Sequence, residues 1–175
     1  MLASVSTGHR PPKALRRAGV GLAVLLVLAP GTVSFGQTPL RLIEFGLPTP
    51  NVRPHSSAAA PDGRVYFAEL AANKLGVFDP RTERFTEYPV PLPASQPHGV
   101  CVDPKTGLVY FTLINGNQIA QLNPVSGQVR LFDVPTPNSG PHTPWPDREG
   151  NIYFTEARAG KIGRLEPATG SANTR

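Results

Sequence analysis

The sequence predicts an all-β fold built from repeated four-stranded units, and three observations carry that prediction. The chain has 21 prolines and 17 glycines among 175 residues, which excludes a helical bundle. Its residues are 39% hydrophobic and only 17% charged, so it has the apolar surface needed to fold rather than stay disordered. Short motifs also recur at a fixed period. Pro-His occurs at Pro54-His55, Pro97-His98 and Pro141-His142, with spacings of 43 and 44 residues. Tyr-Phe occurs at Tyr66-Phe67, Tyr110-Phe111 and Tyr153-Phe154, with spacings of 44 and 43.

The middle unit shows the reading strand by strand. Gly99 to Asp103 is a first strand, closed by the turn Asp103-Pro104-Lys105-Thr106-Gly107. Leu108 to Leu113 is the second, ended by Asn115-Gly116-Asn117. Gln118 to Asn123 alternates polar and apolar residues, as a half-buried strand does. Pro124 to Gly127 turns the chain, Gln128 to Val134 forms the outer strand, and Pro135-Thr136-Pro137 releases it. Four antiparallel strands in a repeat of this length make a β-propeller blade. Residues 52–95 and 96–139 are then blades and 140–170 an incomplete blade. Residues 171–175 read as a tail, and 37–51, which contain LIEFGLPTPN, as the outer strand of a further incomplete blade.

About three blades fall short of the four to eight that propellers use. Three explanations stand: a fragment of a longer product that forms a six- or seven-bladed ring, a homodimer that closes a six-bladed ring, or a decayed product.

Residues 1–36 read as a secretory signal peptide. A basic start ends at Arg16-Arg17, an apolar stretch runs from about Ala18 to Ala29, and Ser34-Phe35-Gly36 precede a cut that leaves Gln37 first. The paired arginines leave the twin-arginine route open, and an uncleaved anchor is the alternative. The expected location is periplasmic or secreted, with no membrane association after cleavage. The net charge of +5 resides largely in this leader. Without its four basic residues, 13 basic and 12 acidic side chains remain, so no nucleic-acid partner is implied. The single cysteine, Cys101, excludes an internal disulfide and reads as a buried apolar residue.

All histidines after the leader share one repeat position. Each Pro-His begins an innermost strand, so His55, His98 and His142 are expected at the mouth of the central channel. The next strand returns to the same mouth. Fourteen residues on stand Glu69 after His55 and Glu156 after His142, whereas in the middle repeat the turn is one residue longer and the equivalent is Leu113. An imidazole and a carboxylate on one rim suit a base with a metal ligand or an orienting partner. The competing reading makes the histidines blade-joint residues and pairs Glu69 and Glu156 with Lys74 and Lys161. The Tyr-Phe pairs read as packing, and Asn73, Gly116 and Asn117 as turn residues. Trp145, between Pro144 and Pro146, is a candidate ligand platform in the channel or a cap on the core.

Tyr153-Phe154-Thr155-Glu156, Lys161-Ile162-Gly163-Arg164-Leu165 and the joints EYPVPLP and DVPTPNSGPH resemble the virginiamycin B lyase (streptogramin B lyase) family. The resemblance runs over residues 40–170. It implies a carbon–oxygen lyase in which a histidine takes the proton beside an ester-bearing carbon. Glutamate-held Mg2+ stabilises the developing charge, and a macrocyclic depsipeptide opens by elimination. The implied catalytic residues are His142, His55 and His98, and the implied metal ligands are Glu156 and Glu69. The family's Glu-x-His pattern is incomplete, since Arg53, Gln96 and Gly140 stand where its first glutamate would be. The alternative is a non-catalytic exported propeller that binds a small molecule, peptide or protein on its channel rim.

Overall fold

The computed structural model describes residues 40–168 and the strand at 171–174. The leader lies outside the described residues. Twelve strands form three four-stranded antiparallel sheets in simple meander order. The first holds β1 (Pro54–Ala59), β2 (Val65–Glu69), β3 (Lys74–Asp79) and β4 (Arg84–Pro89). The second holds β5 (Pro97–Val102), β6 (Val109–Leu113), β7 (Gln118–Leu122) and β8 (Val129–Asp133). The third holds β9 (Pro141–Pro146), β10 (Ile152–Glu156), β11 (Lys161–Glu166) and β12 (Ser171–Thr174). The strands expected in the middle repeat match β5 to β8 within two residues, and the Pro-His pairs do open the innermost strands.

Strand alternation decides the packing. In β2 and β6 the tyrosine points to one face of the sheet and the phenylalanine to the other. Tyr66, Leu75 and Val77 of the first sheet pack with Val100, Phe111 and Leu122 of the second. Cys101, Tyr110, Ile119 and Phe132 of the second sheet pack with Ile152, Phe154 and Leu165 of the third. Cys101 is buried and free, and burial pushes its thiol up to about 12. The innermost strands follow one another, β1 against β5 and β5 against β9, which builds the concave wall of a propeller channel.

Two expectations at the ends of the repeats are corrected. Within the expected tail 171–175, Ser171–Thr174 is a strand that pairs with β11, from Glu166↔Ser171 to Gly163↔Thr174, and completes the third sheet. Residues 40–51 form no strand, because no described strand edge pairs with them. Phe45 instead rests on Phe78, ring centroids 4.6 Å apart. Pro144 and Pro146 do lie within β9, a fit made possible because β9 is the inner edge of its sheet and its outward amides need no ladder partner.

The turn between the second and third strands of a blade also holds the joint to the next blade. Asn117 has φ 54°. Its Nδ2 donates to the Val134 and Thr136 carbonyls, each at 3.0 Å, while its Oδ1 accepts from the Ser139 amide at 2.7 Å and hydroxyl at 2.8 Å. Asn73 does the same with Leu92 and Ser95. In the third repeat Gly160 takes this place, with φ 63°. Asn117→Ala removes four hydrogen bonds and forces an alanine into the left-handed region. It is expected to lower stability by about 2–4 kcal/mol in denaturant titration. Asn117→Gly, which relieves the backbone, is expected to lower it less.

Candidate functional site

The joints that enter the blades share one unusual backbone path. Two residues before each histidine the chain is left-handed, at Arg53 (φ 52°), Gln96 (φ 54°) and Gly140 (φ 60°). Each inner hairpin then carries an extra residue on its inner strand. The pairs Pro54↔Glu69 and Ser57↔Phe67, Pro97↔Leu113 and Val100↔Phe111, and Pro141↔Glu156 and Pro144↔Phe154 all advance three residues against two. Such a bulge re-aims the side chains within it, and here the re-aimed residue is the histidine.

The outcome is a row of three imidazoles. The His55 and His98 ring centroids lie 3.7 Å apart and those of His98 and His142 4.0 Å apart, tilted by 40° and 50°. His55 is exposed, His142 half-buried, and His98 between them is 8% exposed. The His98 Nδ1 has no hydrogen-bond partner. Burial, and then the neighbouring His142 and His55, push its pKa down to about 4. The His142 Nδ1 lies 2.9 Å from the Thr143 hydroxyl. The His142 backbone is pinned from the second blade, because Thr112 Oγ1 donates to its carbonyl at 2.6 Å and accepts from the Gly99 amide at 2.8 Å. A side chain at position 99 would collide with that same carbonyl, so the close approach of β9 depends on glycine there.

The carboxylates make no hydrogen bond with the imidazoles. Glu69 and Glu156 are buried at 0% and 1% exposure, and neither oxygen of either has a hydrogen-bond partner. Burial, reinforced by the nearby charge of Glu87, raises the Glu69 pKa to about 7. The expected ion pairs with lysine do not form. Lys74 Nζ meets Glu87 at 2.6 Å and Thr49 at 2.8 Å, and Lys161 Nζ donates to Thr136 at 3.3 Å. In the middle blade Leu113 fills the corresponding place.

Magnesium needs several hard oxygen donors in near-octahedral array. Each joint offers one glutamate at most. Among the described residues no three His, Cys, Asp or Glu side chains converge on one point. The positions that would supply a second carboxylate hold Arg53, Gln96 and Gly140. A side chain at position 140 would run into Arg158, whose guanidinium bridges the Ile114 carbonyl at 2.9 Å and Asn115 Oδ1 at 2.6 Å. The described residues therefore do not fit a magnesium site within this chain.

Trp145 lies away from the histidines. It sits three residues further along β9, about 10 Å on, paired with Tyr153 near the turn to β10. There it lines a shallow cleft with Pro146, Arg148 and Tyr153. The structure thus brings His55, His98 and His142 together and leaves Trp145 elsewhere. The asparagine clamps, Thr112 and Arg158 were not read as site-building residues. The clamps do have a sequence signal, because a serine follows each asparagine by 22 residues, at Asn73 and Ser95 and at Asn117 and Ser139.

Solved structures similar to this one include virginiamycin B lyase from Staphylococcus aureus, at 31% identity and TM-score 0.71. Another is a catalytically inactive histidine-to-alanine variant of virginiamycin B lyase from Staphylococcus aureus with quinupristin, at 30% identity and TM-score 0.71. A streptogramin B lyase structure matches at 32% identity and TM-score 0.72. Each alignment covers 77% of this chain and 44% of the other, so the chain spans under half the length of these lyases. No protein-family model and no curated protein sequence matches.

The two displaced pKa values set opposite pH limbs of stability. The folded value of His98, about 4, lies below its ordinary 6.5. Its contribution is complete above pH 6.5 and is lost as pH falls toward 4. The folded value of Glu69, about 7, lies above its ordinary 4.5. Its contribution is complete below pH 4.5 and is lost as pH rises through 7. The two windows overlap and largely offset each other between about pH 4.5 and 6.5, so unfolding titrations across pH are expected to show a broad, shallow maximum between about pH 5 and 6, with each limb of roughly 0.5–1 kcal/mol. His98→Gln should flatten the acid limb and Glu69→Gln the alkaline one.

Proposed function

We propose that this chain, a partial-length relative of the virginiamycin B lyases, binds a macrocyclic depsipeptide or related peptide ligand at the histidine rim of its blades. The observation that carries the reading is the row of His55, His98 and His142 at 3.7 and 4.0 Å, contributed by three successive blades to one end of the channel wall. Imidazoles offer flat faces for stacking and nitrogens for the carbonyls of esters and amides. With His98 uncharged at neutral pH, the centre of the row suits a neutral ligand. Where His142 Nδ1 donates to Thr143, Nε2 keeps its lone pair and faces a ligand as acceptor or base. The basic and apolar segment before residue 37 supports action outside the cytoplasm.

The second reading is the elimination reaction that opens the depsipeptide ring at its ester. It is supported by Glu69 and Glu156, whose oxygens lack partners at the spacing expected of metal ligands. The absence of a second carboxylate at each joint weighs against that reaction within these blades alone.

Quinupristin is the probe. Isothermal titration is expected to give saturable binding that His98→Ala weakens at least about tenfold, roughly 1.4 kcal/mol. Ring opening is assayed in parallel with magnesium and with chelator. Binding without ring opening is the expected result. Chelator-sensitive opening that is abolished by His142→Ala would establish the second reading instead. A folded protein that does neither overturns both.

A further inference from the structure

Each sheet carries a tyrosine near the start of its second strand, and the residue opposite it on the third strand differs. Val77 stands opposite Tyr66, Gln121 opposite Tyr110 and Arg164 opposite Tyr153. Gln121 Nε2 donates to the Tyr110 hydroxyl at 2.7 Å, and Arg164 makes a side-chain hydrogen bond with Tyr153. Val77 offers no polar atom. Tyr66 is 0% exposed, and its hydroxyl has no hydrogen-bond partner among the described residues. Burial raises its pKa above the ordinary value, so the group stays a protonated donor. A buried hydroxyl left unpaired lowers stability, and such an exception calls for a reason.

Tyr66 lines a cleft of about 520 Å³ between the first and second sheets, a volume typical of small-molecule pockets. All four strands of both sheets are described. The cleft opens at the β1–β2 turn, near the pair Ala59↔Val65, whereas the histidine rim lies toward the pair Pro54↔Glu69. Asp62 and Arg64 stand on one wall, and Leu108, Pro124 and Val125 on the other. Asp62 holds Arg64 through Nε at 2.8 Å and Nη2 at 2.6 Å, so the charges of that wall cancel. The other side-chain oxygens of the lining serve local turns. Thr106 Oγ1 donates to Asp103 at 2.6 Å, and Asn123 Oδ1 accepts from the Val125 and Ser126 amides. A similar cleft of about 500 Å³ lies between the second and third sheets and is lined by Tyr110 and Gln121. There the tyrosine hydroxyl is already engaged.

We propose that the cleft between the first and second sheets is a second binding site. It takes an uncharged molecule with an apolar body and a carbonyl oxygen that accepts a hydrogen bond from the Tyr66 hydroxyl. The cancelled charges of Asp62 and Arg64 favour a neutral ligand. Leu108, Pro124 and Val125 cover its apolar body, and the ligand supplies the partner that Val77 withholds.

The probes are 4-fluorobenzophenone and 4-fluorodiphenylmethane, which share one body and differ by the carbonyl oxygen. Fluorine NMR titration is expected to give saturable binding of the ketone with Kd below about 1 mM. Tyr66→Phe removes the unpaired hydroxyl and is expected to keep or raise thermal stability. In that variant the ketone-to-hydrocarbon affinity ratio is expected to fall at least about fivefold. Val77→Gln, which gives Tyr66 the partner that Tyr110 has, is expected to lower the same ratio. Trp145→Ala, in the separate cleft on the third sheet, is expected to leave ketone affinity unchanged. Absence of saturable ketone binding overturns the proposal. So does a ratio that Tyr66→Phe leaves unchanged, or ketone binding that Trp145→Ala abolishes.

Discussion

Every sheet in this protein is apolar on both faces, and that constraint organises everything else. A β-sheet that faces water on one side alternates apolar and polar residues. Here Tyr66 and Phe67, or Tyr110 and Phe111, are large on both sides and almost fully buried. Such a sheet is stable only between two neighbours. Each fully buried large side chain contributes about 1.5–3 kcal/mol, so face-to-face packing outweighs any single joint or turn. The packing also forces backbones into contact. At Gly76 and Gly163 an added Cβ would strike the ring of Phe67 or Phe154, whereas the middle blade accommodates Ala120.

Stacked sheets need a chain path from the outer strand of one to the inner strand of the next, and that path makes the site. It crosses the full width of the blade and enters the channel wall through a left-handed residue, a proline and a bulge. Left-handed φ at Arg53 and Gln96 stores strain of order 1 kcal/mol each. The asparagine clamps hold the path where it would otherwise relax. Because this device recurs with the repeat, it delivers an imidazole to the same rim from each blade. The same return of β2 and β10 to that rim buries Glu69 and Glu156. The site therefore combines an uncharged His98 with a Glu69 carboxyl that resists ionisation, and both are consequences of burial.

Much of this was legible in the sequence. The spacing of Pro-His and Tyr-Phe gave the blades, their strands and the shared position of the histidines, because those motifs mark strand starts and face alternation. Contact among the three imidazoles was not legible. It depends on the bulge, which adds one residue to an inner strand without changing the repeat length. The pairing of His55 with Glu69 and of His142 with Glu156 was inferred from a hairpin without that bulge. In the folded chain Pro54 and Pro141 stand opposite Glu69 and Glu156, neither glutamate hydrogen-bonds an imidazole, and the imidazoles meet one another. The placing of Trp145 was open in the sequence for a related reason. Its position along β9 sets which face it occupies, and the residue type pointed to the channel while the register points to the neighbouring blade. Ser171 to Thr174 lack the apolar pattern of the other outer strands, so only pairing with β11 reveals them as a strand.

The central claim is that three successive joints bring His55, His98 and His142 into one row. The most direct measurement is a nuclear Overhauser experiment on protein labelled only at histidine, with the ring signals assigned by single substitutions. At centroid separations of 3.7 and 4.0 Å, the His98 ring is predicted to show cross-peaks to both His55 and His142. A folded protein in which the His98 ring shows no cross-peak to either would contradict the account.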